Sequence, residues 1–323
     1  MEVAVGTFNL NNLFSRYNFK GEIKAIKEGE TEVEGSLKYE FGTGSLYKIR
    51  TYMGRLVKGK DRAKTELVAK RIADISADVL AVQEVEDIDT LREFNRHQLN
   101  GMYSYCILVE GNDPRLIDLG LLSKLPLGAV TSWQHAVHPA DPAQPVFGRD
   151  LLEVEVWNSS RAKKLFTIFN NHLKSHYVPW NEDQATGESS NNDRRKRQSE
   201  MVREIVRSRT RPNSRYLILG DMNDPPDSPF LSPFVDDDEL DLTNALADPD
   251  ETRPPKSDTP PPSTKAWTHR YKKSGQPARY ELYDQIWLSP SLAAKQSNAW
   301  IDRRTKHGGD GSDHDPAWVV LDL

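Results

Sequence analysis

The 323-residue chain has one cysteine, Cys106, so it can form no internal disulfide and no cysteine-based zinc site. Placed in YSYCILV, Cys106 reads as a buried strand residue. No apolar run approaches the roughly 20 residues that a membrane-spanning helix needs. The opening MEVAVGTFNLNNLF lacks the basic start, long apolar stretch and small-residue cleavage site of a secretory leader, so the expected location is cytoplasmic. No internal repeat is visible. The chain also lacks an excess of positive charge: 43 Lys and Arg against 48 Asp and Glu leave a net −5. That balance argues against a protein that simply coats nucleic acid. It does not exclude an enzyme acting on nucleic acid, because a divalent cation alters the local field.

What is present is a soluble globular composition, 37% hydrophobic and 28% charged, with chain enough for a sizeable core. The basic residues are clustered. Residues 46–64 carry seven Lys and Arg with one Asp, and residues 191–211 carry eight with three acids. Strands are expected at GTFNL near the start, 78–85, 103–109, 118–124, 150–157, 165–173, RYLILGD, YELYDQIWLS and PAWVVLDL. Apolar spacing predicts helices over 62–76, 87–99 and 195–208. Residues 15–60 read as a polar insertion, 176–193 as a polar loop, and 249–262, with six prolines, as an irregular excursion. Strands outnumber helices and do not alternate with them, which favours two packed sheets flanked by helices. Apolar strands spread from end to end predict a single domain, 1–323.

Polar residues stand at the ends of the apolar strands: Asn9 in TFNLNN, Glu84 in AVQEVED, Asp221 and Asn223 in GDMND, and Asp313 and His314 in GSDHDP. His172 in NNHLKS and Asp284 in YDQIW extend the set. Asn and Asp at strand ends also make ordinary turns. Taken together, however, they offer the oxygen donors that suit a hard cation such as Mg²⁺, with Mn²⁺ as a substitute. A metal, a water-activating carboxylate and a cationic His form a set suited to phosphoester hydrolysis.

The ordered series TFNLNN, QEVED, NHLKS, GDMND, YDQIW and SDHDP resembles the endonuclease/exonuclease/phosphatase superfamily, from residue 3 to about 320. The resemblance implies an α/β fold, a four-layer αββα sandwich with two central, mostly antiparallel sheets. It also implies a metal-dependent hydrolase of phosphoric esters. By this likeness Asn9, Glu84 and Asp313 lie at the metal, Asp221 positions the attacking water, and Asn223 holds the phosphate. His314 stabilises the transition state, Asp284 orients His314, and His172 serves as a second site histidine. NHLKS argues against the AP-endonuclease branch, and Leu282-Tyr283-Asp284-Gln285 departs from the inositol-phosphatase pattern.

Lys174 and the basic run Arg194 to Arg197 resemble bacterial nuclease members. DPRLIDLGLLSK (113–124) and FGRDLLEVEV (147–156) resemble stretches of the same members, and on these likenesses Asn11, Arg115, Arg149, Lys174, Arg194 and Arg197 are expected to contact substrate, with Asp118 at the rim. Leu116 stands where glycine is usual, and Asp150-Leu151 replace an apolar residue and a proline. The expected activity is phosphodiester hydrolysis, with nucleic acid, DNA foremost, as the partner and no obligate protein partner. A phosphatase or phosphodiesterase of a small molecule or phospholipid, and a non-catalytic binding member, are the alternatives.

Overall fold

The computed structural model describes residues 1–15, 60–255, 258, 261–306 and 309–323. The expected insertion at 15–60 therefore lies outside the described residues except at its two ends. In chain order the strands begin with β1 (Glu2–Leu13), β2 (Val79–Val85), β3 (Tyr105–Val109), β4 (Asp118–Ser123) and β5 (Leu127–Ser132). A hairpin of β6 (Val137–His138) and β7 (Asp141–Pro145) precedes β8 (Leu151–Trp157), β9 (Lys164–His172) and β10 (Tyr216–Asp221). Short β11 (Thr243–Asn244) and β12 (Asp250–Glu251) lead to a second hairpin, β13 (His269–Tyr271) and β14 (Arg279–Glu281). The last three are β15 (Asp284–Leu288), β16 (Gln296–Ile301) and β17 (Ala317–Asp322). The helices are α1 (Arg62–Ile75), α2 (Ile88–His97) and α3 (Gln184–Arg209), with single turns α4 (Ser232–Val235) and α5 (Pro290–Ala293).

One sheet runs β12-β16-β17-β1-β2-β4-β3 and the other β11-β15-β10-β9-β8-β5. The pairs β1–β2, β9–β10 and β12–β16 are parallel, and the remaining pairs in both sheets are antiparallel. Side-chain alternation explains the layering. Val5, Ala81, Leu119, Val154, Ile168, Leu219, Ile286 and Val319 turn inward to fill the space between the sheets. Phe8, Leu80, Val82 and Leu122, on the opposite face of the first sheet, pack with Val68 and Ile72 of α1 and Leu91 and Phe94 of α2. Phe169, Ile218 and Trp287 do the same against Val202, Ile205 and Val206 of α3. The αββα arrangement is the one expected.

Two elements differ from the sequence reading. Residues 184–193, expected as loop, form the first turns of α3, capped by Asp183, whose carboxylate accepts from the Thr186 N–H at 2.9 Å. Its buried face there is made of Gly187, Asn191 and Arg195, so it carries no apolar stripe to read. Asp250–Glu251, inside the proline-rich excursion, pairs with β16 as an edge strand. Cys106, expected buried, is only partly so, on the edge strand β3.

Behind the loop that carries His314, three guanidiniums converge on one carboxylate. Asp315, fully buried, accepts from Arg71 at 3.0 Å and Arg304 at 2.9 Å, with Arg303 at 3.4 Å. Arg71 also donates to the His314 carbonyl at 3.1 Å, and Arg303 lies over the Trp267 ring at 3.8 Å. This network anchors the segment before β17 to α1. Removing one member of a buried ionic cluster leaves uncompensated charge, at a cost of about 3–5 kcal/mol. Asp315→Ala should therefore lower the urea midpoint of unfolding by the equivalent of several kcal/mol, and a loss below about 1 kcal/mol, typical of surface changes, would contradict the network's role.

Candidate active site

The polar residues predicted from sequence meet at one end of the sandwich, and local backbone irregularities bring them there. β1 and β2 pair in register from Val5 and Val79 to Asn9 and Gln83, then slip, so that Leu13 pairs with Val85. At this bulge Asn11, Asn12 and Glu84 all adopt left-handed backbone, at φ 49°, 58° and 61°. The Asn12 N–H donates to Glu84 Oε2 at 2.9 Å, and Asn11 Nδ2 donates to Asp313 Oδ1. In the other sheet, Gly220 pairs with Asn171 at φ 128°, where a Cβ would fall 2.0 Å from the Asn171 carbonyl oxygen. Only glycine fits ahead of Asp221.

Contacts then cross between the sheets. Asn9 Nδ2 on β1 donates to Asp221 Oδ2 on β10 at 2.8 Å. His314 Nδ1 lies 2.7 Å from Asp284 Oδ2 at the start of β15, and His314 Nε2 lies 3.8 Å from Asp221 Oδ2. His172 Nε2, at the end of β9, is 3.5 Å from Asp221 Oδ2 and 3.9 Å from Glu84 Oε1. Asp221 Oδ1 accepts the Asn223 N–H at 2.9 Å, and Asn223 Nδ2 donates to the Leu173 carbonyl at 3.1 Å.

The two histidines differ in charge. Burial alone would depress His314, but Asp284 and Asp221 outweigh it and hold the imidazolium well above its ordinary pKa. Burial depresses His172, and the cations Arg149, His314, Arg115 and Lys174 push it further down, so it is a neutral imidazole. Its buried Nδ1 has no partner among the described residues. Burial pushes the Asp221 carboxyl up, with His314 opposing and Asp284 adding.

The flanking cations gather unevenly. Arg149 is buried, with Nε 3.0 Å from Asp113 and Nη1 donating to the Leu173 carbonyl at 3.0 Å. Arg115 shares Asp113 and is about half exposed. Lys174 is pushed down to about 8 by burial and by Arg149, Arg115, Arg194 and Arg195, which places these charges around it. Arg195, part of the basic run, is fully buried against Asp224 at 2.8 Å and is a structural residue. Arg197 stands apart, 4.0 Å from Asp141 on β7. Asp118, expected at the rim, is buried and accepts the Gly111 N–H at 2.9 Å.

Sequence reading missed two aromatic neighbours and one lysine. The His269 ring stacks on Tyr283 at 5.1 Å and sits 5.0 Å from His314. Lys60 donates to the Asn11 carbonyl at 2.6 Å. Tyr283 stands in YDQIW and Lys60 in the basic run 46–64, but neither pattern points to the site, and His269 lies in no motif; proximity in the fold reveals all three. Two groups among the described residues, His269 with Asp313 and His314, and Asp221 with Asp284 and His314, bring ligand atoms within 4.8 Å of one another and could hold a metal ion, with the Glu84 and Asp313 carboxylates 19% and 50% exposed.

Asp284→Asn should lower the His314 titration midpoint read by NMR of the ring protons. Because the folded pKa is raised, the pair's stabilisation is complete below the unfolded value of about 6.5 and is lost as pH rises through the folded value. The stability gap between the two proteins should therefore be widest at mildly acidic pH and narrow in alkali. A midpoint unmoved by the substitution would contradict the pairing.

The sequence profile of the "Endonuclease/Exonuclease/phosphatase family" matches residues 6–314. No curated protein sequence matches the chain. Among solved structures, the endonuclease/exonuclease/phosphatase from Bacteroides vulgatus is similar at TM-score 0.59 and 12% identity, covering 100% of this chain and 99% of that one. The human Nocturnin catalytic domain with bound sulfate is similar at 0.57 and 14%, covering 99% and 94%. Truncated Caenorhabditis elegans TDP2 is similar at 0.55 and 13%, covering 100% and 98%. At such identities these structures speak for the fold, and with the profile spanning nearly the whole chain, the protein belongs to the endonuclease/exonuclease/phosphatase family.

Proposed function

We propose that the protein is a Mg²⁺-dependent phosphodiesterase, a nuclease acting on DNA. The observation that carries this reading is the Asp221 carboxylate, held between Asn9, Asn223, His172 and His314 beside cleft-facing Glu84. Glu84, Asp313 and Asn9 would hold the cation. The bound cation supplies charge neutralisation at the phosphate. Asp221, whose burial favours proton uptake, orients a water and takes its proton. The His314 imidazolium, fixed by Asp284, donates to the phosphoryl oxygens as negative charge builds in the transition state. His172 Nε2, neutral and close to Asp221, contacts the phosphate or the leaving oxygen. Asn223 has a second amide N–H left to hold the phosphate.

DNA as substrate is supported by the cations beside this centre. Arg149, Arg115 and Lys174 act on His172, and Arg194 acts on Lys174, while Asp113 pairs with Arg115 and Arg149; such a group of cations suits phosphates flanking the scissile one. The names of TDP2 and Nocturnin neither require nor exclude this substrate, and another structural neighbour is a mannosyl-6-phosphatase from Bacteroides thetaiotaomicron.

Phosphodiester cleavage should stop in excess chelator and return with Mg²⁺ or Mn²⁺, and His314→Ala should lose at least about a hundredfold in turnover while remaining folded. Full activity after dialysis against chelator would overturn the metal-dependent reading. Arg115→Gln with Arg194→Gln should weaken DNA binding and flatten the log-affinity against log-salt slope by about one unit per lost phosphate contact. Hydrolysis of a small chromogenic diester should hardly change. A wild type that neither binds nor cleaves DNA yet hydrolyses a small phosphoester would replace the nuclease reading with the small-molecule one.

A further inference from the structure

β13 docks beside the His314 loop through its backbone. His269 and His314 pair as an isolated antiparallel bridge. The Asp315 N–H donates to the Thr268 carbonyl at 2.8 Å, and the Asp284 N–H donates to Thr268 Oγ1 at 2.9 Å. On the other side, Ser312 Oγ accepts the His314 N–H at 3.0 Å and donates to the Asn9 carbonyl at 2.7 Å. Residues opposite each other in such a bridge turn their side chains to the same face. The two imidazoles accordingly stand with centroids 5.0 Å apart. His269 Nε2 lies 3.9 Å from Asp313 Oδ2, while Asn11 occupies Asp313 Oδ1.

Each member of the trio is prepared as a metal ligand. Asp284 holds His314 Nδ1 at 2.7 Å, which leaves Nε2 to coordinate. A carboxylate behind the far ring nitrogen is the common support of a metal-binding histidine. Tyr283 backs the His269 ring within 15° of parallel and fixes its plane. His269 Nδ1 is buried without a partner among the described residues. Asp313 is half exposed, so an ion reaches the trio from solvent. Two imidazoles and a carboxylate suit Zn²⁺, which accepts three protein ligands and keeps a fourth position for water. Mg²⁺ favours oxygen donors, and Glu84 is no part of this trio.

Resting on the role given to His314 above, we propose that His269, Asp313 and His314 form a zinc site that switches the enzyme off. The ion takes the Nε2 lone pair of His314, and the proton that nitrogen carried leaves to solvent. The N–H meant for the phosphoryl oxygens is then gone. Asp313 is shared, so Zn²⁺ also withdraws a carboxylate from the Mg²⁺ set.

Calorimetric titration of Zn²⁺ into wild type, His269→Phe and His269→Asp, in buffers of different ionisation enthalpy, reads the site without turnover. Phenylalanine keeps a ring against Tyr283 and removes the ligand; aspartate returns a ligand atom. Wild type should bind Zn²⁺ with release of about one proton. His269→Phe should bind at least about tenfold more weakly, with His269→Asp between the two. Mg²⁺ affinity of His269→Phe should stay within about twofold of wild type. In Mg²⁺, half inhibition of its diester cleavage should need at least about tenfold more Zn²⁺. Equal Zn²⁺ affinity or equal inhibition in wild type and folded His269→Phe would overturn the proposal. So would Zn²⁺ binding that Glu84→Gln abolishes and both His269 variants leave intact, which places the ion in the Mg²⁺ set. Zn²⁺ binding through His269 by a protein that cleaves no phosphoester in Mg²⁺ would keep the site and remove the catalytic reading instead.

Discussion

Two side-chain contacts that cross from one sheet to the other hold the rest of the site in place: Asn9 to Asp221 at 2.8 Å and His314 to Asp284 at 2.7 Å. Each joins a residue of the β1 and β17 side to a residue of the β10 and β15 side. A third crossing contact, Gln83 to Asn170 at 2.9 Å, lies deeper between the sheets. The apolar core between the sheets is non-directional and fixes their separation only roughly. Buried polar pairs fix the relative position of the two edges, because a slip would leave each partner unsatisfied in a dry interior. The site therefore depends on the sandwich, and the sandwich's end is in turn defined by the site.

Charge is distributed so that each buried group has a stated role. Asp315 is surrounded by Arg71, Arg303 and Arg304, which frees it from any part in proton transfer and makes it a rigid support under His314. One position earlier in sequence, His314 faces Asp284 and Asp221 and is cationic. His172, close to the same Asp221, is held well below its ordinary pKa by burial first and by the surrounding cations second. Two imidazoles beside one carboxylate thus hold opposite protonation states through their surroundings alone, the condition under which one can stabilise an anion while the other remains an uncharged partner.

Much of this was legible in the chain. GDMND, SDHDP and QEVED announce themselves because polar residues interrupt apolar strands at their ends, and alternation in the strands predicts the layers. The first turns of α3 escaped because their inner face is Gly187, Asn191 and Arg195, polar groups satisfied by Asp224 and by the Lys174 and Tyr177 carbonyls. That Arg195, within the basic run Arg194 to Arg197, is buried could not be read in advance, because helix phase is not visible in a charge run. Lys60 and His269 reach the site through the fold of separate segments, so no local pattern marks them. The bulge that turns Glu84 inward is equally hidden, since φ 61° at a glutamate has no composition cue.

In the mechanism we propose, water aligned by Asp221 attacks the phosphorus in line while His314 steadies the charge building on the phosphoryl oxygens, with no histidine becoming phosphorylated. The stereochemical course of cleaving a chiral phosphorothioate dinucleotide in ¹⁸O-water reads this directly. A single displacement predicts inversion at phosphorus. Retention would require two displacements through a phosphoenzyme and would contradict the account.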